Sequence, residues 1–194
     1  MKLKRSKELI AVIKISAAIL ITAFALAFLL GTSCVVPDKP KSAKDWYRKG
    51  ESYADNEMYG KAIECLTKAI DIDAELAEAY DYRGYCYYRM VQYEEALADF
   101  KMTLKLGSKF SEISYYYMGN TYHRMGNYEE AIRSFTKAIE INPEEADYYY
   151  DRGSSYYDLK LFEKAEADFK DACSLGSSGG CDEARFIYEF MNIE

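Results

Sequence analysis

Sliding the chain against itself brings one pattern into register every 34 to 35 residues, and this period constrains the fold more than any single motif can. Four units emerge, beginning at Ala43, Ala77, Glu112 and Ala146. Each has an aromatic residue three places in (Trp46, Tyr80, Tyr115, Tyr149), then a glycine (Gly50, Gly84, Gly119, Gly153), then a tyrosine (Tyr53, Tyr87, Tyr122, Tyr156). Further along come an aromatic (Tyr59, Tyr93, Tyr128, Phe162), an alanine (Ala62, Ala96, Ala131, Ala165) and a large apolar residue (Leu66, Phe100, Phe135, Phe169). Within each unit, apolar residues recur at intervals of three and four on both sides of a polar break such as Asp55-Asn56-Glu57 or Gly126-Asn127. That spacing predicts two amphipathic helices joined by a turn. The glycine and the alanine twelve places later are the smallest residues in otherwise bulky stripes, so the paired helices are expected to approach closely there. A lone hairpin of this kind cannot bury both its faces, so the units must stack, each stabilised by its neighbours.

The order aromatic, Gly, Tyr, Ala, Phe at these intervals resembles the tetratricopeptide repeat over residues 43 to about 179. The family's late alanine is met by Ala69, Ala138 and Ala172 but is Thr103 in the second unit, and its inter-repeat proline appears only as Pro143. The resemblance implies an all-α, right-handed α-solenoid of four helix-turn-helix units at residues 43–76, 77–111, 112–145 and 146–179. A capping helix over 180–194 follows, with Phe186, Tyr188, Phe190, Met191 and Ile193 apolar. In that family the first helices of successive units line a concave groove across which peptides lie. Carried onto the matching places, the groove would present Tyr47 and Glu51, then Asp81, Tyr85, Tyr88 and Arg89, then Tyr116, Asn120, His123 and Arg124, then Tyr150, Ser154 and Tyr157. Residues on one helix face are neighbours, so Tyr85 with Tyr88 and Tyr150 with Tyr157 are expected to form aromatic ledges. The implied function is that of a non-enzymatic scaffold for a protein or peptide partner. The alternative is a permanent subunit of an envelope complex, docked through its convex face or capping helix. The Lys and Asn pair with which some relatives grip a C-terminal carboxylate is not reproduced, because Tyr47 and Glu51 stand in those places.

The N-terminus has a different character. Residues 1–33 hold five basic residues (Lys2, Lys4, Arg5, Lys7, Lys14) against Glu8, or +4, so with −7 for the whole chain the remainder carries −11. Ile15 to Leu30 is uncharged and mostly apolar behind a basic stretch, as in a secretory signal or membrane anchor. As a helix it would span about 24 Å at about 1.5 Å per residue, short for a hydrocarbon core of about 30 Å. Leu30-Gly31-Thr32-Ser33-Cys34 resembles the lipobox of bacterial lipoproteins, although Gly31 replaces the usual Leu. That resemblance implies lipidation of Cys34 and removal of residues 1–33, with an uncleaved hydrophobic anchor helix as the other reading. Either one places the rest of the chain outside the cytoplasm of a bacterial cell envelope, tethered to membrane. Residues 34–42, with Pro37 and Pro40, are expected to be a linker.

Cys173 and Cys181, eight apart across a Gly/Ser stretch, resemble the pairs that close helix hairpins in secreted relatives of this repeat, which implies a disulfide. Two small buried thiols are a second possibility and metal binding a third, for which two thiols with no nearby His make a poor site. Cys65 and Cys86 are expected to be small core residues. Catalytic chemistry finds little footing: His123 is the single His, no metal or cofactor is expected, and the glycines form a packing column instead of a phosphate-binding loop. No small-molecule substrate is expected, and −11 on the exported part disfavours nucleic acid.

Overall fold

The computed structural model describes residues 42–107, 109 and 111–192. The signal or anchor segment 1–33, Cys34 and the linker up to residue 41 therefore lie outside the described residues, as does part of the longer junction from Leu106 to Ser111. The described residues hold nine helices: α1 (Ala43–Asp55), α2 (Tyr59–Ile72), α3 (Ala77–Arg89), α4 (Tyr93–Lys105), α5 (Ser111–Arg124), α6 (Tyr128–Ile141), α7 (Ala146–Asp158), α8 (Phe162–Ser174) and α9 (Ser178–Met191). The first eight form four hairpins, each packed on the next, and α9 packs on α8. None is long and apolar enough to cross a membrane.

Two boundaries differ from expectation. Helix α5 begins at Ser111, one residue ahead of the repeat boundary, and α9 begins at Ser178, not at residue 180. The second shift has a clear cause: Ser177 caps α9, its Oγ accepting the Gly180 N–H at 3.1 Å, so Gly179 and Gly180 are helical despite their composition. Helix α1 starts on a reciprocal cap, with Asp45 N–H donating to Ser42 Oγ and Ser42 N–H to Asp45 Oδ2. Each hairpin turn closes in the same way. The amide of Met58, Gln92, Asn127 or Leu161 donates to the carbonyl of Tyr53, Tyr87, Tyr122 or Tyr156 at 2.8–2.9 Å. The preceding residue is left-handed each time: Glu57, Val91, Gly126 and Lys160 have φ of 58, 63, 77 and 60°. Only the third is glycine, so the other three accept a backbone cost of order 1–2 kcal/mol to keep the helix-ending geometry.

The alanine column is the dry seam of each hairpin, with Ala62, Ala96, Ala131 and Ala165 fully buried. The glycine column is where the paired helices come close, and the partner there is a large side chain. A Cβ on Gly119 would stand 2.5 Å from Phe135 Cε1, and one on Gly84 2.9 Å from Phe100 Cε1. Gly84, Gly119 and Gly153 are thus sockets for the ring sixteen residues on, and Gly50 is the socket for the Leu66 side chain. At the far end Gly180 faces backbone instead, where a Cβ would meet the Phe169 carbonyl oxygen at 2.8 Å. This lays α9 directly on α8. The Cys173–Cys181 bond crosses that seam with the Cα atoms 4.6 Å apart, as the resemblance implied. Closing so short a loop contributes about 2–3 kcal/mol by restricting the unfolded chain. Cys65 and Cys86 are free and buried.

The core contains a second-order repeat. Arg83 on α3 donates through Nε and Nη2 to both oxygens of Asp99 on α4, at 2.7 and 2.8 Å, and through Nη1 to Thr67 of the preceding hairpin at 3.1 Å. Arg152, Asp168 and Thr136 repeat this at 2.8, 2.8 and 3.0 Å. Each member lies 69 residues from its counterpart, two units away. The first and third units have Lys49 with Cys65 and Met118 with Ser134 at these places. Alternate hairpins are therefore clamped to the preceding one by a buried fork of hydrogen bonds.

Candidate functional site

The substantial contacts between non-consecutive helices run between first helices: α1 with α3, α3 with α5, α5 with α7. The first helices therefore form the inner wall of the stack, and the residues expected to line a groove belong to that wall. Their exposure differs from place to place.

The wall is richest in aromatic side chains at α3 and α5. Tyr85 and Tyr88 do not make a ledge by themselves. They are bridged by Tyr117 of the next helix, whose ring centroid lies 5.1 Å from that of Tyr85 and 5.7 Å from that of Tyr88. Tyr117 also stacks on Phe100 at 6.0 Å and tilts against Tyr116 at 5.3 Å. Its burial raises its phenol pKa to about 12. Arg89 is exposed, spread over the Tyr59 ring at 4.9 Å, donating to Tyr85 Oη at 2.6 Å and 3.6 Å from Glu57. Its charge is thus committed locally.

Asp81 is 5% exposed, so it forms the floor of the wall and not its rim. Ser114 donates to its Oδ1 at 2.5 Å. Burial pushes the Asp81 carboxyl up to about 6, and nearby Glu78 adds to that against the opposing hydrogen bond from Ser114. Tyr82, Tyr85, Ile113, Tyr117 and Asp55 complete a pocket of about 290 Å³ above it.

Upstream, Tyr47 donates to Glu51 at 3.2 Å and meets Tyr82 edge-on at 5.5 Å. Burial, then Glu51, raises the Tyr47 phenol far above its ordinary value. Downstream, Tyr116 tilts over Tyr148 at 5.0 Å and is held with Asn120 against Asp151. Burial pushes Asp151 up to about 6 as well. Tyr116 and Asn120 therefore knit α5 to α7 more than they face outward.

His123 Nδ1 lies 2.9 Å from Ser155 Oγ, and Nε2 3.4 Å from Asp158. Ser155 spends its own hydroxyl proton on the Asp151 carbonyl, so His123 Nδ1 must be the donor. Burial, then Asp158 and Arg124 in opposite senses, sets the His123 pKa below its ordinary value. Arg124 is exposed. In the last unit Tyr150 packs on Phe169 at 5.3 Å, Ser154 donates to the Tyr150 carbonyl, and Tyr157 meets Phe162 at 5.5 Å. The expected Tyr150 and Tyr157 ledge is an opening between them: with Ser154, Asp158, Phe169 and Glu183 of α9 they line a second pocket of about 210 Å³.

Repeat positions alone did not single out Tyr82, Tyr117, Asp151 or Glu183. The first three sit one place after the expected column of Tyr47, Asp81, Tyr116 and Tyr150. A signal was present, since Tyr82 and Tyr117 repeat an aromatic in that column. Among the described residues no three His, Cys, Asp or Glu side chains are placed to hold a metal.

Comparison with known proteins agrees with this architecture. Family models described as tetratricopeptide repeat match residues 43–76 and 146–175, and one described as TPR repeat matches 119–160. The crystal structure of MamA superposes with a TM-score of 0.68 at 27% identity, over 73% of this chain and 82% of that one. MamA from Desulfovibrio magneticus RS-1 gives 0.71 at 18% identity, over 79% and 87%. YrrB, described as a TPR protein with an unusual peptide-binding site, gives 0.67 at 18% identity, over 77% and 78%.

Proposed function

We propose, for a chain whose repeat domain is built of tetratricopeptide repeats, that it is a non-enzymatic scaffold holding an extended peptide or protein segment along its first-helix wall. The observation that carries this is the set of tyrosines on α3, α5 and α7 that line two pockets. Tyrosine gives large contact area at low entropic cost, which is why it is enriched where binding energy concentrates. The basic apolar N-terminus and Cys34 support a tethered protein in a bacterial envelope, with the repeats outside the cytoplasm. Cys34→Ala should then lose fatty-acid labelling and accumulate at precursor size; a variant labelled and processed like wild type would remove the lipid from this proposal.

The groove is tested by photo-crosslinking in intact cells. A benzophenone amino acid at Tyr85 or Tyr157 should give discrete adducts, whereas one at Glu94 or Glu129, exposed on α4 and α6, should give none. Adducts from the second pair alone would exclude the groove. A second reading has its own observation: Phe186, Tyr188 and Phe190 on α9 are 52, 56 and 54% exposed, unusual for a cap whose outer face ordinarily stays polar. Crosslinks confined to these positions would mark a subunit docked through its capping helix.

A further inference from the structure

We infer that the two groove pockets are sockets for the positively charged side chains of an extended peptide, a reading that rests on the groove proposed above and names its ligand chemistry. The two pockets are built alike. The first sets Asp55 and Asp81 among three tyrosines, Tyr82, Tyr85 and Tyr117. The second sets Asp158 and Glu183 among Tyr150, Tyr157 and Phe169. Neither lining contains a lysine or arginine. Two carboxylates beside three aromatic rings, in a recess large enough for a side chain, recognise an ammonium or guanidinium group by charge and by the negative ring faces together.

Asp81 adds an independent sign. It is buried, and its one hydrogen bond among the described residues comes from Ser114 to Oδ1, yet it lines an open pocket. A carboxylate serving only the fold would be paired, as Asp99 and Asp168 are by their arginines. A cation entering from the pocket would add a partner of opposite charge to the one neutral donor, Ser114. In the second pocket Asp158, its side chain 39% exposed, lies 3.4 Å from His123 Nε2, so that carboxylate too faces the groove. The −11 balance of the chain beyond residue 33 favours the approach of such a ligand.

The first pocket is lined from α3 and α5 with Asp55 at the end of α1, and the second from α7 and α9 with Phe169 of α8. At about 8–10 Å between neighbouring helix axes, two steps separate them by roughly 16–20 Å, or about five to six residues of extended chain. A peptide with basic residues at that spacing reaches both, and a single small amine reaches one.

The test is fluorescence anisotropy of labelled octalysine on the full chain in uncharged detergent. Octalysine should bind and octaglutamate should not. Tyr157→Ala, which leaves the charge unchanged, and Asp158→Asn should each weaken octalysine five- to tenfold. Glu94→Gln with Glu129→Gln, which removes two charges from exposed sites on the second helices, should change it less than twofold. Circular dichroism confirms that each variant folds.

Equal weakening by the second-helix pair would reduce the effect to diffuse charge and overturn the proposal. Tetramethylammonium competing at the same concentration as octalysine would make the pockets small-molecule sites and overturn it too. Octaserine binding as well as octalysine, with groove crosslinks retained, would remove the charge preference alone. Loss of the groove crosslinks would instead remove the reading on which this one rests.

Discussion

Asp99→Ala should lower the stability of the repeat domain by about 3–5 kcal/mol, read as a fall in the urea midpoint at unchanged slope. Asp99 and Arg83 have side chains 7 and 16% exposed, so removing the carboxylate strands a guanidinium in a place that water barely reaches. Thr67 alone cannot offset that charge, because a hydroxyl 3.1 Å from Nη1 answers one of its donors. The double change Arg83→Met with Asp99→Leu should recover most of the loss, because no charge is then left without a partner. A single substitution costing under about 1 kcal/mol would show that water or rearrangement reaches the site. Asp168→Ala should behave alike through Arg152. Together these clamps explain how a hairpin with arginine at the centre of a helix interface folds at all: the charge is satisfied across two helices and one neighbouring repeat.

Asp81→Asn should move stability the other way. The folded-state carboxyl sits at about 6 against an ordinary 3.8, so the folded chain holds this proton more tightly than the unfolded chain does. Its contribution is therefore fully present below about pH 3.8 and is lost as pH rises through about 6. By neutral pH the ionised carboxylate costs up to about 3 kcal/mol, from 1.36 kcal/mol per unit over that interval. An amide keeps the acceptor for Ser114 and carries no charge. The variant should match wild type near pH 4 and exceed it by on the order of 1–3 kcal/mol at pH 7, measured by thermal unfolding across that range. Comparing two proteins that differ at one atom cancels the other acids nearby, Glu78 and Asp55 among them. A stability difference that does not grow between pH 4 and pH 7 would show that burial does not penalise this charge. If the pocket takes a cation, the same substitution weakens octalysine binding, so stability and recognition trade against each other at one residue.

Much of this architecture is legible along the chain because a repeat announces itself. The glycine, alanine and aromatic columns locate eight helices and their turns, since each column reflects contacts made within one hairpin or with its neighbour at a constant offset. The Cys173 and Cys181 pairing, which the structure shows as a disulfide, was legible only through resemblance to secreted repeats of this kind, with two buried thiols as the open alternative. Groove residues were legible only in part. Position in the repeat puts Tyr47, Asp81, Tyr85, Tyr116, Tyr150 and Tyr157 alike on the first helices, but it does not separate Tyr116, which is spent on contacts with the next first helix, from Asp81, which bonds Ser114 and still lines a pocket.

The sequence by itself determined the number of hairpins and their register, because these follow from periodicity; the C-terminal disulfide and the tyrosine-rich first-helix wall were implied only by resemblance to known repeats. Only the tertiary structure decided which polar side chains line the pockets and which are consumed. That depends on how far each first helix is rotated against the next. This rotation makes Tyr117 the hub between Tyr85 and Tyr88, puts Asp151 beneath Tyr116, and joins Asp55 to Asp81 and Asp158 to Glu183 across helices. Residues 26 and 25 positions apart share a pocket there through stacking, and no local period encodes such a pairing.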